Sequence, residues 1–238
     1  ILKEPDANGH YETPLAAPLE YLPSLQIGME KASIALRLEQ AGAWRLCRST
    51  ADIRKAMADG VFAAVLHMEG CEAISADLAE LDVFYAAGLR SLGPVWSRHN
   101  IFGHGVPFSY PMSPDTGPGL TDVGFELVKA CNRLGILIDL AHITEKGFWD
   151  VAKTTDQPLI ASHSNAHALT QVARNLTDKP TAAVKETRAL VGLNYALTTL
   201  RPDARDNAPP PLSDLIRHLH HLVQPCGHHS CAPGLPLH

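Results

Sequence analysis

The 238-residue sequence is 45% hydrophobic and 19% charged, and its 20 basic and 25 acidic side chains give a formal charge of −5. That apolar content can fill a substantial core and excludes a disordered or collagen-like chain, while mild acidity without a run of Lys or Arg excludes a nucleic-acid-binding surface. No stretch approaches the roughly 18 apolar residues that cross a bilayer, so no membrane segment is expected.

The chain opens on Ile1 rather than Met, which leads us to expect a fragment or a processed product. Residues 6–23 are broken by Pro14, Pro18 and Pro23 and read as turns. Helical patterns follow over 25–44 and 50–58, and 61–66 is a continuous apolar run suited to a strand buried on both faces. A helix over 75–87 ends at Gly88 and precedes a strand over 89–95. Residues 98–120 form a loop rich in Gly and Pro, of a length that is usually functional or disordered. Thr121 caps a helix that Gly135 ends; a strand over 136–140, a helix over 144–155, a strand over 158–161, a helix over 181–188 and a strand over 189–195 complete the regular pattern. A last helix is expected over 211–223, and residues 224–238 read as an irregular tail. Cys47, Cys71, Cys131, Cys226 and Cys231 are scattered and odd in number, which fits a reducing compartment such as the cytoplasm better than a disulfide framework.

Apolar strands alternating with helices predict an α/β domain with a parallel sheet over residues 1–223. Both a doubly wound sheet and a barrel fit. No Gly-x-Gly-x-x-Gly follows the first strand and no Walker-type Gly-Lys-Ser/Thr occurs, which favours a TIM-like β/α barrel. A closed barrel needs eight strands, so an incomplete one of about five to six β/α units is expected.

Glu69, His142 and His163 each lie just beyond the C-terminal end of an expected parallel strand. In such folds those ends open onto one face, where sites are built. One carboxylate and two imidazoles suit zinc or a similar divalent cation, with a position left for water. Asp139 is placed either to orient His142 or only to accept backbone hydrogen bonds, and His67 is read as a packed supporting residue rather than a ligand. His99, His104 and His167 are weaker candidates. Arg174 lies in a polar stretch after the His163 strand, where a guanidinium suits bidentate binding of a carboxylate.

The segments Met68-Glu69-Gly70, Gly119-Leu120-Thr121-Asp122, Asn132-Arg133-Leu134-Gly135, Ile138-Asp139-Leu140-Ala141-His142, Ile160-Ala161-Ser162-His163-Ser164 and Arg174-Asn175-Leu176-Thr177-Asp178 occur in order. Together they resemble the renal (membrane) dipeptidase family of the amidohydrolase superfamily. The resemblance implies a TIM-like barrel with two zinc ions that hydrolyses dipeptides. It makes Glu69 the carboxylate bridging the metals, His142 and His163 the other ligands of the second zinc, and Arg174 the group holding the substrate's terminal carboxylate. The family's His-x-Asp, which supplies the first zinc, has no counterpart, and His10-Tyr11-Glu12 is only a superficial substitute. The family's proton-shuttling Asp, in an Asp-Phe-Asp-Gly-like segment, is also missing, and a substrate-contacting His of many members falls at Trp96. The expected function is therefore zinc-dependent hydrolysis of a dipeptide by a metal-bound hydroxide, in a chain that is inactive if truncated. The alternative is a non-catalytic barrel fragment that binds a metal or a peptide-like ligand. A homodimer is compatible with either.

Overall fold

The computed structural model describes residues 5–205, 212–226 and 231–233. Helix α1 (Tyr21–Gln40) starts four residues earlier than the pattern suggests, because Pro23 sits in the first turn, where a missing N–H costs nothing. It ends before Gly42, whose positive φ of 74° turns the chain into β1 (Arg45–Leu46). The short β1 pairs in parallel with β2 (Ala63–Ala64), and Ser49 caps α2 (Thr50–Ala58) between them by accepting from the Asp52 amide.

The site-bearing sheet is β3 (Leu66–Glu69), β4 (Leu89–Gly93) and β5 (Leu137–Ile138), all parallel and in chain order. Helix α3 (Ala79–Ala87) begins later than expected: Leu78 is left-handed (φ 63°), and Glu80 binds back to Ser75, so residues 75–78 form a turn instead. Gly88, with φ 117°, closes the helix and feeds β4. Helix α4 (Asp122–Leu134) runs between a Thr121 cap and a left-handed Gly135, as its sequence predicts, and α5 (Glu145–Thr154) is capped by Thr144.

Residues 158–161 do not form a full strand. They join the sheet through the single parallel bridges Asp139↔Ile160 and Ala161↔Val191, which carry the succession on to β6 (Val191–Leu193). Helix α6 (Asp178–Glu186) precedes β6, and α7 (Leu197–Leu200) and α8 (Leu212–Cys226) follow it. Against the irregular tail expected after residue 223, α8 continues to Cys226 and β7 (Cys231–Pro233) pairs in parallel with β6. Such pairing satisfies the backbone of an open β6 edge and needs no side-chain periodicity. Residues 227–230 and 234–238 of that tail lie outside the described residues. No closed barrel is present among the described residues; the fold is α/β with parallel strands in chain order.

One core runs through α3, β4, α4, α5 and β6, with Phe84, Leu92, Phe102, Leu127 and Phe148 at most 2% exposed. The long loop is tied into it. Its Gly103 bridges Asn100 and Leu120, Gly105 bridges Ile143, and the Val106 amide donates to the His142 carbonyl at 2.8 Å. Among the described residues no helix is long and apolar enough to cross a membrane.

Gly105 has no room for a side chain, since a Cβ there would stand 1.9 Å from the Trp96 carbonyl oxygen. Gly105→Ala should therefore cost about 1–3 kcal/mol through overpacking. Calorimetry should register a melting temperature several degrees lower; an unchanged value would mean that the loop is not pinned there.

Candidate metal centre

Strand ends bring Glu69, His142 and His163 together as their positions predict. Glu69 is the last residue of β3, His142 follows β5 by four residues, and His163 follows the 158–161 segment. Glu69 Oε1 lies 3.1 Å from His142 Nε2 and 3.2 Å from His163 Nε2, and the two nitrogens are 3.1 Å apart. Among the described residues this is the one group of three metal-competent side chains whose donor atoms meet in this way. His10 and Glu12 do not join it.

Both imidazoles are buried and Glu69 is half-buried. Burial by itself would raise the Glu69 carboxyl, but the His142 and His163 imidazoles beside it reverse that and hold it well below the usual carboxylate range. Burial drives His142 well below its ordinary value, and the Arg174 charge adds to the effect. His142 is therefore neutral at physiological pH, the form in which an imidazole ligates. It also sits at φ 69°, a left-handed conformation that a residue with a Cβ adopts under constraint.

This set fits a divalent ion. Bonds of about 2.0–2.2 Å at tetrahedral angles place ligand atoms about 3.3–3.6 Å apart, within a few tenths of an ångström of the three separations observed. Glu69 Oε1 is also buried without a protein hydrogen-bond partner, so the three atoms face one another as co-ligands rather than as a closed hydrogen-bonded trio. Three ligands leave a fourth position open, as in catalytic rather than structural zinc sites.

The surrounding side chains decide between the two expectations for Asp139. Asp139, fully buried, does not orient His142; its Oδ1 accepts from the amides of Ala141 and Ser162, and its Oδ2 accepts the Ser162 hydroxyl. His142 Nδ1 instead meets Ser97 Oγ at 2.8 Å, and His163 Nδ1 meets Ser162 Oγ at 2.7 Å. The two serines escaped the sequence reading because hydroxyls carry no pattern of their own, although Ser162 precedes a candidate ligand directly. His67 lies on the site side of β3, 3.9 Å from Asp139 Oδ2, and bonds Ser91 rather than packing into the core.

Arg174 is 4% exposed and donates to the His163 carbonyl at 3.0 Å; among the described residues no carboxylate pairs with it. Burial lowers it to about 10, against the opposing charges of Glu69 and Asp139, so it remains a cation at neutral pH. Trp96 and Phe108 cover His142, with ring centroids at 5.7 and 6.1 Å. His99 and His104 meet edge to face outside the trio, and His167 bonds the Met112 carbonyl, fastening the long loop.

A parallel α/β fold brings a carboxylate and two imidazoles together at its strand ends, in an arrangement able to hold a divalent cation. The sequence matches the membrane dipeptidase family (peptidase family M19) over residues 15–234, and the chain belongs to that family. It is 44% identical over 209 residues to an uncharacterized protein of the pqqA 5′ region of Klebsiella pneumoniae, covering 88% of this chain and 76% of that one. An uncharacterized dipeptidase of Schizosaccharomyces pombe is 30% identical over 173 residues, covering 71% of this chain and 40% of that one. Among solved structures, a metallo peptidase from Rhodobacter sphaeroides, liganded with a phosphinate mimic of the dipeptide L-Ala-D-Ala, superposes with a TM-score of 0.92 at 48% identity. The match covers 94% of this chain but spans only 64% of that structure's length.

Zinc that binds the folded protein stabilises it by about 2.7 kcal/mol at a hundredfold excess over Kd. Thermal melts of metal-stripped protein should thus rise by several degrees on adding zinc, and Glu69→Gln should abolish the rise. An equal shift in the variant would place the ion elsewhere.

Proposed function

We propose that the chain carries the central part of a zinc-dependent dipeptidase, built as a TIM-like β/α barrel of which residues 1–223 are an incomplete portion. The observation that carries this reading is the convergence of Glu69 Oε1 with two imidazole Nε2 atoms at 3.1–3.2 Å, in a chain 48% identical to a metallo peptidase that binds a dipeptide mimic. Glu69, His142 and His163 would hold one Zn2+. When bound, that ion polarises a peptide carbonyl and makes water a nucleophile near neutral pH. Two zinc ions are proposed for the full-length protein, with Glu69 shared between them; the His-x-Asp pair that serves the other ion in the family does not occur in these 238 residues.

The chain's own groups supply charge, orientation and dryness. An ionised Glu69 and neutral imidazoles place one negative charge on a divalent ion, which keeps its Lewis acidity. Arg174, a buried cation without a carboxylate partner among the described residues, offers a bidentate seat for the C-terminal carboxylate of a dipeptide. A terminal carboxylate one residue from the scissile bond would then select dipeptides over longer chains. Trp96 and Phe108 shield one side of His142 from water, so charge interactions there act in a low-dielectric environment.

The test is amine release from L-Ala-D-Ala by the zinc-loaded full-length protein, with the 238-residue chain assayed beside it. Hydrolysis is expected from the full-length protein. Zinc binding without amine release from it would favour the non-catalytic, ligand-binding alternative, and absence of zinc binding would defeat the zinc-dependent reading. Arg174→Met should lower kcat/KM by roughly 100-fold or more, on the scale of losing a desolvated charge pair of about 3 kcal/mol. Zinc content should stay unchanged; an Arg174→Met enzyme with normal kcat/KM would remove the arginine from substrate recognition.

A further inference from the structure

We infer that Asp139 and Ser162 form a relay that fixes the tautomer of His163, and with it the direction of the lone pair that faces the cation. The inference rests on the metal-site reading above and deepens it. Its basis is a count of protons. Asp139 is fully buried, and as a carboxylate it can only accept. Its Oδ1 takes the amides of Ala141 at 3.1 Å and Ser162 at 2.8 Å, and its Oδ2 takes the Ser162 hydroxyl. A hydroxyl has one proton. Once Ser162 gives it to Asp139, its oxygen can meet His163 Nδ1, 2.7 Å away, only as an acceptor.

His163 Nδ1 must therefore carry the ring proton, leaving Nε2 bare toward Glu69 Oε1 and His142 Nε2. The same carboxylate links the segments that bear both ligands. Asp139 lies three residues before His142, its backbone bridges Ile160 in the neighbouring segment, and its carboxylate clasps Ser162 through two bonds. Ser162 and Asp139 are thus positioning residues: they touch neither the ion nor a substrate. A carboxylate behind a ligating imidazole is a general device for raising ligand basicity, here relayed through a hydroxyl.

Asp139→Asn supplies a distinctive test. An amide at that position can donate to Ser162 Oγ, which frees the hydroxyl proton to turn toward His163 Nδ1. The ring proton then moves to Nε2, into the cation position. The imidazole nitrogen shifts of His163 in the metal-free 238-residue chain, in mildly alkaline buffer, report this directly. The expected result is an Nδ1–H tautomer in the native protein and an Nε2–H tautomer in Asp139→Asn. In competition titrations with a chromophoric chelator, Ser162→Ala and Asp139→Asn should each bind zinc about 10–100-fold more weakly. Ser162→Thr, which restores the hydroxyl, should recover most of the loss.

A native Nε2–H tautomer, or native zinc affinity in Ser162→Ala, would overturn the relay. The tautomer measurement needs no metal. Failure of the native chain to bind zinc would therefore count against the metal-site reading, while the tautomer of the metal-free chain would still decide for or against the relay.

Discussion

Three electron-rich atoms held within about 3.2 Å of one another, Glu69 Oε1 and the Nε2 atoms of His142 and His163, form the constraint that organises this structure. Lone pairs at that spacing repel unless a cation or a proton lies between them, so the rest of the protein must hold them in place. Parallel pairing of β3, β4 and β5 aims the strand ends at one face, and burial of both imidazoles keeps them from swinging into solvent. His142 is held in a left-handed conformation that costs of order 1–3 kcal/mol. Its carbonyl is anchored by the Val106 amide and its ring is fixed by Ser97.

The long loop is part of that restraint. Residues 98–120 read as functional because they are long and rich in Gly and Pro. They also act as a brace, in which single bridges at Gly103 and Gly105 and buried Phe102 and Val106 bind the loop to the core. Trp96, at the loop's entry, and Phe108, within it, reach the site by packing against His142. The absence of a base at Trp96 does not leave the site open, because an aromatic wall occupies the position.

Much of the site was legible because its logic is periodic and positional. His142 and His163 can be counted from the segments they follow, and Thr121 and Gly135 mark the bounds of α4 by their own chemistry, whereas the strand expected over 61–66 is split into β2 and β3, with Phe62 and Val65 exposed and Glu69 ending β3. Less was legible where structure depends on neighbours distant in sequence. Arg45–Leu46 is too short to stand out as a strand, and 158–161 pairs only through single bridges. Asp139 lies nearer His142 in sequence yet serves His163, because Ser162 reaches it across the sheet from the adjacent segment. The β7 pairing at Cys231–Pro233 could not be read from composition either, since it uses backbone groups alone.

The most direct measurement of the central claim is an anomalous difference map from crystals of this chain grown with zinc and recorded at the zinc edge. A single strong peak bonded to Glu69 Oε1, His142 Nε2 and His163 Nε2, at about 2.0–2.2 Å from each, is the result predicted. Ordered crystals with zinc in solution and no peak among those three atoms would contradict it.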